Sequence, residues 1–402
     1  MKILLEEARL LQNSIIKDRR YLHENAEVAL DLPITTLYVI KRLKEMGYEP
    51  QEICKSGVVA IAGGKRPGNT FMLRADMDAL PIAEETGLDF KSKTTCMHAC
   101  GHDLHTAMLL GAAQLLKDHE DEIEGQVKLM FQPGEETLGG ATSMIAAGVL
   151  ENPKVDAAMM IHVATGMPIP AGLVMVPPAG IVSASSDWFT INIQGKGGHG
   201  AMPHTAVDPI NIAAHIHIAL QEINARELAP SDNVALTVGQ MHGGNTSNVI
   251  PDSAYLNGTI RTFNKETREF VIKRVEEMSK GIAESFRASA NVEITMGCPS
   301  VKSSVELTNQ FMEYSKSLLD PNQVVSLADI AGGAYARLSG SEDFAFVSEL
   351  VPSIMVLLAT TSEEEMYKYP QHHPKACFNE NPMHIGAAIY ANTAIEWLKN
   401  NK

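Results

Sequence analysis

The chain is organised around one stretch, Cys96-Met97-His98-Ala99-Cys100-Gly101-His102-Asp103-Leu104-His105. These ten residues contain two thiols, three imidazoles and a carboxylate, a density of metal-binding groups that packing alone rarely requires. The apolar run 107–113 follows at once and predicts a buried helix. The metal-binding groups would therefore lie at a helix N-terminus, where unpaired backbone N–H groups and the helix dipole favour a thiolate.

Two pairs within this stretch have the same Cys-x-His spacing. Cys100 and His102 can face one ion if the local backbone is extended, and Cys96 with His98 is the alternative pair. We favour Cys100 and His102 because they adjoin the predicted helix. A purely structural Cys and His remain an alternative on this motif alone, whereas a four-cysteine zinc site is disfavoured because no second closely spaced Cys pair exists.

Length and composition restrict the class of protein. A chain of 402 residues is long enough for two or three domains. Five cysteines are an odd number, which argues against a disulfide framework and favours a reducing compartment. No N-terminal signal peptide or run of transmembrane length is evident, so we expect a soluble cytoplasmic protein. The net charge of −15 argues against nucleic acid as a partner.

The fold class follows from the alternation of apolar strands and amphipathic helices. Helices are predicted near 3–18, 34–46, 103–117 and 138–147, and strands near 58–62, 71–74, 126–131 and 157–163. This order predicts an α/β domain with a mainly parallel sheet, whose ligands gather at the carboxyl ends of the strands. Asp76, Glu135 and His162 each lie at or just beyond such an end.

The pattern changes after residue 184 to β-α-β-β-α-β, the order of a ferredoxin-like sandwich. The first pattern resumes near residue 299, with helices near 306–319, 341–349 and 384–399 and a strand at 354–358. We therefore predict a discontinuous catalytic domain, 1–183 and 299–402, with a smaller domain inserted at 184–298.

Several side chains could complete a metal site and its chemistry. Of the adjacent Glu135 and Glu136, one could bind metal while the other accepts the proton of an attacking water. A solvated acidic turn is the alternative. His162 and His372 are further candidate ligands that carry little weight singly. Asp76 and Asp78 follow a strand, and either could orient a ligand histidine.

The predicted inserted domain has its own polar groups. The loop 195–204 is rich in glycine but lacks the spacing of a nucleotide-binding loop, so a nucleotide site is excluded. His199 within it could donate a hydrogen bond to developing oxyanion charge. Asn248 and Arg261 could hold a carboxylate.

Taken together, the motifs resemble one family over nearly the whole chain, in the same order. The matching segments are Arg20-x-Leu22-His23, Arg74-Ala75-Asp76-Met77-Asp78-Ala79-Leu80-Pro81, Met97-His98-Ala99-Cys100-Gly101-His102-Asp103-x-His105, Gln132-Pro133-x-Glu135-Glu136, Gly195-x-Gly197-Gly198-His199-x-Ala201-x-Pro203-His204, Ser341-Glu342-Asp343-Phe344 and His372-x-Pro374. They resemble the aminoacylase/carboxypeptidase metallohydrolase family. The similarity is to the N-acyl-amino-acid amidohydrolase branch, which includes hippurate hydrolase, indole-acetyl-amino-acid hydrolase and N-acetyldiaminopimelate deacetylase.

The resemblance implies a role for each candidate residue. The implied metal ligands are Cys100, His102, Glu136, His162 and His372. Glu135 would be the general base, Cys100 would bridge two ions, and His199 would serve the site of a neighbouring subunit. Asn248 and Arg261 match positions associated with the substrate carboxylate. The inserted domain would be a lid that also forms a homodimer. The cofactors would be two divalent ions, drawn from Zn, Mn, Co or Ni.

We therefore expect a metal-dependent amidohydrolase that cleaves N-acyl-L-amino acids. A dipeptidase or carboxypeptidase of the same family is the first alternative. A thiol hydrolase using Cys100 and a metal-dependent binding protein without turnover are alternatives from other classes. The segments 298–302 and 374–378 differ from the usual family sequences, so the resemblance does not define the substrate pocket.

Overall fold

The computed structural model describes residues 2–331 and 337–402, which divide into two compact units. The first unit comprises Met1–Val182, Val301–Arg337 and Asp343–Lys402, and the second comprises Ser183–Ser300 and Leu338–Glu342. Residues 338–342 group with the second unit, whereas the sequence predicts that they belong with the segment 299–402. Residues 332–336 of that segment lie outside the described part of the chain.

The helices span α1 (Lys2–Glu24), α2 (Pro33–Glu45), α3 (His102–Asp118), α4 (Gly140–Ala146), α5 (Pro209–Glu222), α6 (Lys265–Ser285), α7 (Val305–Leu318), α8 (Leu327–Ala331), α9 (Ala345–Leu350) and α10 (Met383–Asn400). None of these described helices combines the length and apolar character that a membrane crossing requires.

The strands span β1 (Gln51–Cys54), β2 (Gly57–Gly63), β3 (Thr70–Asp76), β4 (Gln126–Gln132), β5 (Ala157–Ala164), β6 (Val174–Val176), β7 (Gly180–Ile181), β8 (Ser186–Gln194), β9 (Gly198–His199), β10 (Val234–Gly243), β11 (Val249–Ile250), β12 (Ser253–Thr262), β13 (Ser289–Cys298), β14 (Lys302–Ser303), β15 (Val324–Ser326) and β16 (Ser353–Ala359).

The sheet of the first unit is mixed, with a parallel centre. Its strand order is β1-β2-β4-β3-β5-β16-β6-β15. The central strands β4, β3, β5 and β16 run parallel to one another, whereas antiparallel pairs lie on both sides of them. The predicted α/β class is therefore confirmed. The carboxyl ends of the parallel strands meet at one edge of the sheet.

Burial explains why these strands take the centre. Every residue of β3 and β16 is buried, as expected of a strand covered on both faces. Helices α1, α3 and α10 pack against one another, and α3 and α10 lie against β3. Helix α3 begins after Gly101, whose φ of 93° suits glycine. A Cβ atom there would lie 2.4 Å from Cγ2 of Val163, so the loop before α3 approaches β5 closely.

The second unit has an antiparallel sheet of order β10-β12-β8-β13. With α5 between β8 and β10, and α6 between β12 and β13, its chain order is β-α-β-β-α-β. Both helices lie against β12, and their apolar faces form a separate core with alternate strand residues. The other face of the sheet is open, and Trp188 on β8 is 47% exposed.

Lys128 on β4 is a charged side chain in the interior of the first unit. It is only 2% exposed, and its Nζ atom donates hydrogen bonds of 2.8, 2.9 and 2.8 Å to the carbonyl oxygens of Val149, Glu151 and Pro153. One ammonium group thus satisfies three carbonyl groups in the loop that leads to β5. From the sequence, Lys128 is predicted only to lie in an apolar strand.

We predict that Lys128→Met destabilises the protein although it adds an apolar side chain to the core. The three carbonyl groups would lose their donor, and the free energy of unfolding should fall by roughly 2–4 kcal/mol. Chemical denaturation measures this change. Lys154→Met, at an exposed position nearby, should stay within about 0.5 kcal/mol of the parent. Equal stability of the two variants would contradict the prediction.

Candidate metal and catalytic site

The candidate site forms where the parallel strands end. Asp76 is the last residue of β3, Glu135 and Glu136 follow β4, and His162 lies near the end of β5. Helix α3 brings His102 to the same edge at its first turn. The register of β3 with β4 and β5 aligns these ends, which explains why side chains distant in sequence meet.

All five predicted ligands come together in this cluster. The ligand atoms of Cys100, His102 and His162 lie within 4.8 Å of one another, and so do those of Cys100, Glu136 and His372. Cys100 therefore belongs to both groups of three. A third group joins His102 to Glu135 and Glu136 within the same distance.

Two of the histidines are oriented by main-chain carbonyl groups. Nδ1 of His102 donates to the carbonyl oxygen of Asp78 at 2.8 Å, and Nδ1 of His162 donates to the carbonyl oxygen of Val163 at 2.7 Å. A carbonyl oxygen can only accept, so Nδ1 of each ring carries a proton. Each Nε2 atom then faces the cluster. His162 Nε2 is 3.7 Å from Cys100 Sγ.

The cluster has the electrostatics of a cation site. Burial and the Glu136 carboxylate favour the neutral thiol of Cys100, but the neighbouring His102 and His162 outweigh them and lower the pKa of Cys100 to about 6. The same Cys100 and Glu136 raise the pKa of His372 to about 10. The anionic groups thus attract positive charge strongly at neutral pH.

The donor atoms also fit a bound metal. His102 Nε2 and Glu136 Oε1 are buried, lie 4.0 Å apart and make no hydrogen bond within the described chain, although Glu136 Oε1 is 3.4 Å from His372 Nε2 and His102 Nε2 is 3.6 Å from Asp76 Oδ2. Buried polar atoms normally have hydrogen-bond partners, and one cation could bind both of these atoms. Thiolate, imidazole and carboxylate together suit Zn, Mn, Co or Ni.

Glu135 is buried beside these ligands and its main chain is held by Asp78. The two carboxylate oxygens of Asp78 accept the N–H groups of Glu135 and Glu136, at 2.9 and 3.1 Å. Glu135 as a whole residue is 6% exposed, and its Oε2 atom lies 3.9 Å from His102 Nε2. Asp78 therefore positions the turn that carries both glutamates, and its carbonyl group orients His102.

Asp76 belongs to a buried network that the sequence pattern does not predict. Its Oδ1 atom accepts the Nδ1 proton of His105 at 2.5 Å, and its Oδ2 accepts Nη1 of Arg74 at 2.7 Å. Nη2 of Arg74 donates to Asp343 at 2.9 Å, and the N–H of Asp343 donates to Glu135 Oε1 at 3.3 Å. A continuous chain of contacts thus joins Asp76 to Glu135.

The other metal-competent groups of the opening stretch have different surroundings. His105 Nε2 accepts the N–H of Val163 at 2.9 Å, and its Nδ1 contacts Asp76, so both ring nitrogens are engaged. The histidine that Asp76 orients is thus His105, which is not one of the predicted ligands. Asp103 accepts hydrogen bonds from Arg19 and His23. Within the described chain, Cys96 and His98 belong to none of the candidate metal groups, which favours the pair Cys100 and His102.

His199 and Asn248 lie side by side in the second unit. His199 pairs with Val249 across β9 and β11, and the carbonyl oxygen of Asn248 accepts the N–H of Gly200 at 2.9 Å. Nδ1 of His199 accepts the N–H of Ala201 at 3.0 Å, which leaves its proton on Nε2. The exposed His199 ring is therefore a ready hydrogen-bond donor.

Arg261 lies on β12 of the four-stranded sheet, near the end of that strand that is far from β9 and β11. The pairing of β8 with β12 begins at Asp187 with Ile260, ends at Gln194 with Ser253, and leads on to β9 and β11. Arg261 is eight residues from Ser253, roughly 25 Å at the rise of a strand. It donates to Ser186 there. His199 and Asn248 thus cannot touch the same small molecule as Arg261 of the same chain.

Sequence reasoning missed the residues that support the site through side-chain contacts. Arg74 and Asp343 lie in quoted motifs but received no role, and Gln132 donates to Asp343 at 2.7 Å. Gln371, next to His372, also contacts Cys100. The one signal in the sequence was Arg74 itself, which ends a predicted apolar strand. An isolated buried charge is costly, so such an arginine requires acidic partners.

Comparison with known proteins places this geometry in a family. The model of Peptidase family M20/M25/M40 matches residues 72–396. The chain is 36% identical to the N-acetyl-L-cysteine deacetylase of Bacillus subtilis (strain 168) over 98% of this chain and 90% of that protein. It is 35% identical to thermostable carboxypeptidase 1 of Saccharolobus solfataricus over 98% of each.

A solved structure agrees with the sequence matches. The crystal structure of the Bacillus subtilis YXEP protein, described as a dinuclear metal binding peptidase from the M20 family, has a TM-score of 0.80 and 33% identity. The similarity covers 97% of this chain and 99% of that chain. The chain therefore belongs to Peptidase family M20/M25/M40, a family of hydrolases, which confirms the resemblance that its motifs predicted.

Proposed function

We propose that this protein is a metal-dependent amidohydrolase that cleaves N-acyl-L-amino acids into a carboxylate and a free amino acid. The observation that carries the proposal is the convergence of five metal-competent side chains beside the buried carboxylate of Glu135. Similarity to a deacetylase of an N-acetyl amino acid supports this substrate class.

Two divalent ions would be held by the two groups of three that share Cys100. One group is Cys100, His102 and His162, and the other is Cys100, Glu136 and His372. Cys100 would contribute its thiolate to both groups. When bound, the ions lower the pKa of water to roughly 7 and polarise the substrate carbonyl group.

The residues of the chain supply the proton transfers. Glu135 accepts a proton from the water that attacks the amide carbon, and it returns that proton to the nitrogen as the C–N bond breaks. The hydrogen bond from the Asp343 N–H fixes the carboxylate of Glu135 during both transfers. His199 donates its Nε2 proton in a hydrogen bond to the oxyanion. Asn248 and Arg261 bind polar groups of the substrate, including its carboxylate.

The second candidate function is that of a carboxypeptidase or dipeptidase, because a relative with 35% identity bears the name carboxypeptidase. The same groups can cleave a peptide bond next to a free carboxylate. Parallel assays with an N-acetyl amino acid, an N-benzoyl amino acid and a dipeptide separate the two. Preference for either acyl substrate supports the amidohydrolase, and preference for the dipeptide supports the alternative.

We place the protein in the cytoplasm. The described cysteines, which include all five of the chain, are free thiols, and a shared catalytic thiolate at Cys100 requires reducing conditions to persist.

We predict that Glu135→Gln abolishes turnover while both ions remain bound. The amide keeps the size of the side chain but cannot accept a proton, so kcat should fall at least 100-fold. Metal analysis of the purified variant and an N-acetyl amino acid assay measure the two effects. Near-normal activity would show that Glu135 is not the base.

Chelation provides the matching control on the parent enzyme. Activity should disappear with a chelator and return with Mn or Zn. Persistence of full activity after complete removal of metal would contradict the metal mechanism and favour the thiol hydrolase.

We also predict that Asp78→Asn lowers kcat while KM changes little. The amide can accept only one of the two N–H groups of Glu135 and Glu136, so the turn that carries the base would shift. A misplacement of about 1 Å costs up to roughly 100-fold in rate. Asp31→Asn, at an exposed site, is the control. Steady-state kinetics on folded protein decide, and an unchanged kcat would exclude this positioning role.

The separation of His199 and Asn248 from Arg261 supports our proposal that the protein is a homodimer. If both ends of the second unit bind substrate, they serve two different sites, as in a symmetric dimer. Strand β10 is a ten-residue edge strand of the described sheet, and Met241 on it is 42% exposed. Ile210 and Ile218 on the adjoining α5 are also exposed. Such an edge favours pairing with a second copy.

We predict that two inactive variants restore activity when they share a dimer. In a mixed dimer of Glu135→Gln and His199→Ala, one site combines an intact Glu135 with the intact His199 of its partner. One of its two sites is then complete, so the isolated mixed dimer should have about half of the parent activity. Co-expression with two affinity tags yields the mixed species for assay. If His199 acts within its own chain, the mixed dimer will be as inactive as either variant.

A further inference from the structure

We propose that Gln371 is a positioning residue that holds three ligand-bearing segments in register, and thereby sets the affinity of the site for divalent ions. This inference rests on the proposed function, since it concerns the ligands assigned there. Gln371 precedes His372 in the loop after β16 and is half-buried.

The contacts of one side-chain amide carry the proposal. Nε2 of Gln371 donates to the carbonyl oxygen of Cys100 at 3.0 Å and to that of Val163 at 3.3 Å. The first contact reaches the loop before α3, and the second reaches the end of β5 next to His162. The two N–H groups of the amide are thus shared between the segments that carry Cys100 and His162.

The Val163 carbonyl group connects Gln371 to the orientation of a ligand. That oxygen also accepts the Nδ1 proton of His162 at 2.7 Å. A carbonyl oxygen has two lone pairs, so it can serve both donors at once. Gln371 therefore fixes the acceptor that directs Nε2 of His162 toward Cys100. Orientation of this kind typically accounts for 10- to 100-fold in metal affinity, of the order that other outer-shell partners contribute.

The backbone of His372 gives an independent reason for an anchor. His372 has a φ of 66°, a left-handed conformation that costs energy in a non-glycine residue. Its N–H donates to the carbonyl oxygen of Ala99 at 2.9 Å. The side chain of the preceding residue, Gln371, donates to the carbonyl oxygen of Cys100, which follows Ala99. These two bonds hold the strained residue against the cysteine loop, so the His372 ring is positioned before an ion binds.

The amide also lies against the shared thiolate. Nε2 of Gln371 is 3.7 Å from Cys100 Sγ, within the range of a hydrogen bond to sulfur. An N–H group near a thiolate stabilises its lone pairs and weakens its donation to a metal. Loss of this donor therefore changes the electronic properties of the Cys100–metal bond as well as its position.

The experiment compares Gln371→Leu and Gln371→Met with the parent protein after substitution with Co²⁺. Both variants are uncharged and remove the N–H donors, and Met also keeps the length of the side chain. Each variant should bind Co²⁺ roughly 10- to 100-fold more weakly in competition with a chelator. The sulfur-to-cobalt charge-transfer band should move to longer wavelength, because the sulfur lone pairs lose a stabilising donor.

Gln310→Leu is the matched control. Gln310 is also half-buried and donates to Asn401 from α7, and its amide contacts none of the ligand residues. This variant should keep the parent affinity and spectrum. Thermal unfolding of the metal-free proteins separates folding from binding: the proposal requires that Gln371→Met keep a cooperative transition and still lose affinity.

The possible results distinguish this inference from the proposed function. If the parent protein binds two Co²⁺ ions and hydrolyses an N-acetyl amino acid, but both Gln371 variants keep its affinity and spectrum, the positioning role is wrong. If the Co²⁺ affinity of the variants falls only as far as their folded fraction does, the positioning role of Gln371 is likewise excluded. If the parent protein itself fails to bind two ions, the proposed function is wrong instead.

Discussion

The parallel pairing of β3 with β4 and β5, and of β5 with β16, is the constraint on which the site depends. Strands that run in the same direction end at the same edge, so residues that follow them meet without a long connecting structure. Asp76, Glu135 and His162 reach the cluster in this way, and α3 brings in His102. A shift of one residue in any of these pairings would turn a ligand to the wrong face.

Main-chain atoms do much of the orienting at this edge. The carbonyl groups of Asp78 and Val163 fix the tautomers of His102 and His162, and the N–H groups of Glu135 and Glu136 bind the Asp78 carboxylate. Backbone atoms of buried strands and their first turns move little, so they hold side chains more firmly than flexible partners would. The orientation of the candidate ligands therefore depends on the packing of the surrounding core.

Much of the fold and the composition of the site could be predicted from the sequence, because strong hydrophobic periodicity marked the central strands and long helices. The three-residue strands β6 and β15 escaped notice, since so short an apolar run has no distinctive period. Motif resemblance named Cys100, Glu136 and His372 although they are far apart in the chain. The contacts of Arg74, Asp343 and Gln371 could not be predicted, because they depend on which strands become neighbours rather than on local pattern.

Arg74 is buried between Asp76 and Asp343, with all three side chains inaccessible to solvent. Two buried carboxylates repel each other unless a cation lies between them. Here the guanidinium group of Arg74 is that cation. The anionic edge of the sheet is thus partly neutralised from within. Part of the charge balance at this edge therefore belongs to the chain itself and does not depend on a bound ion.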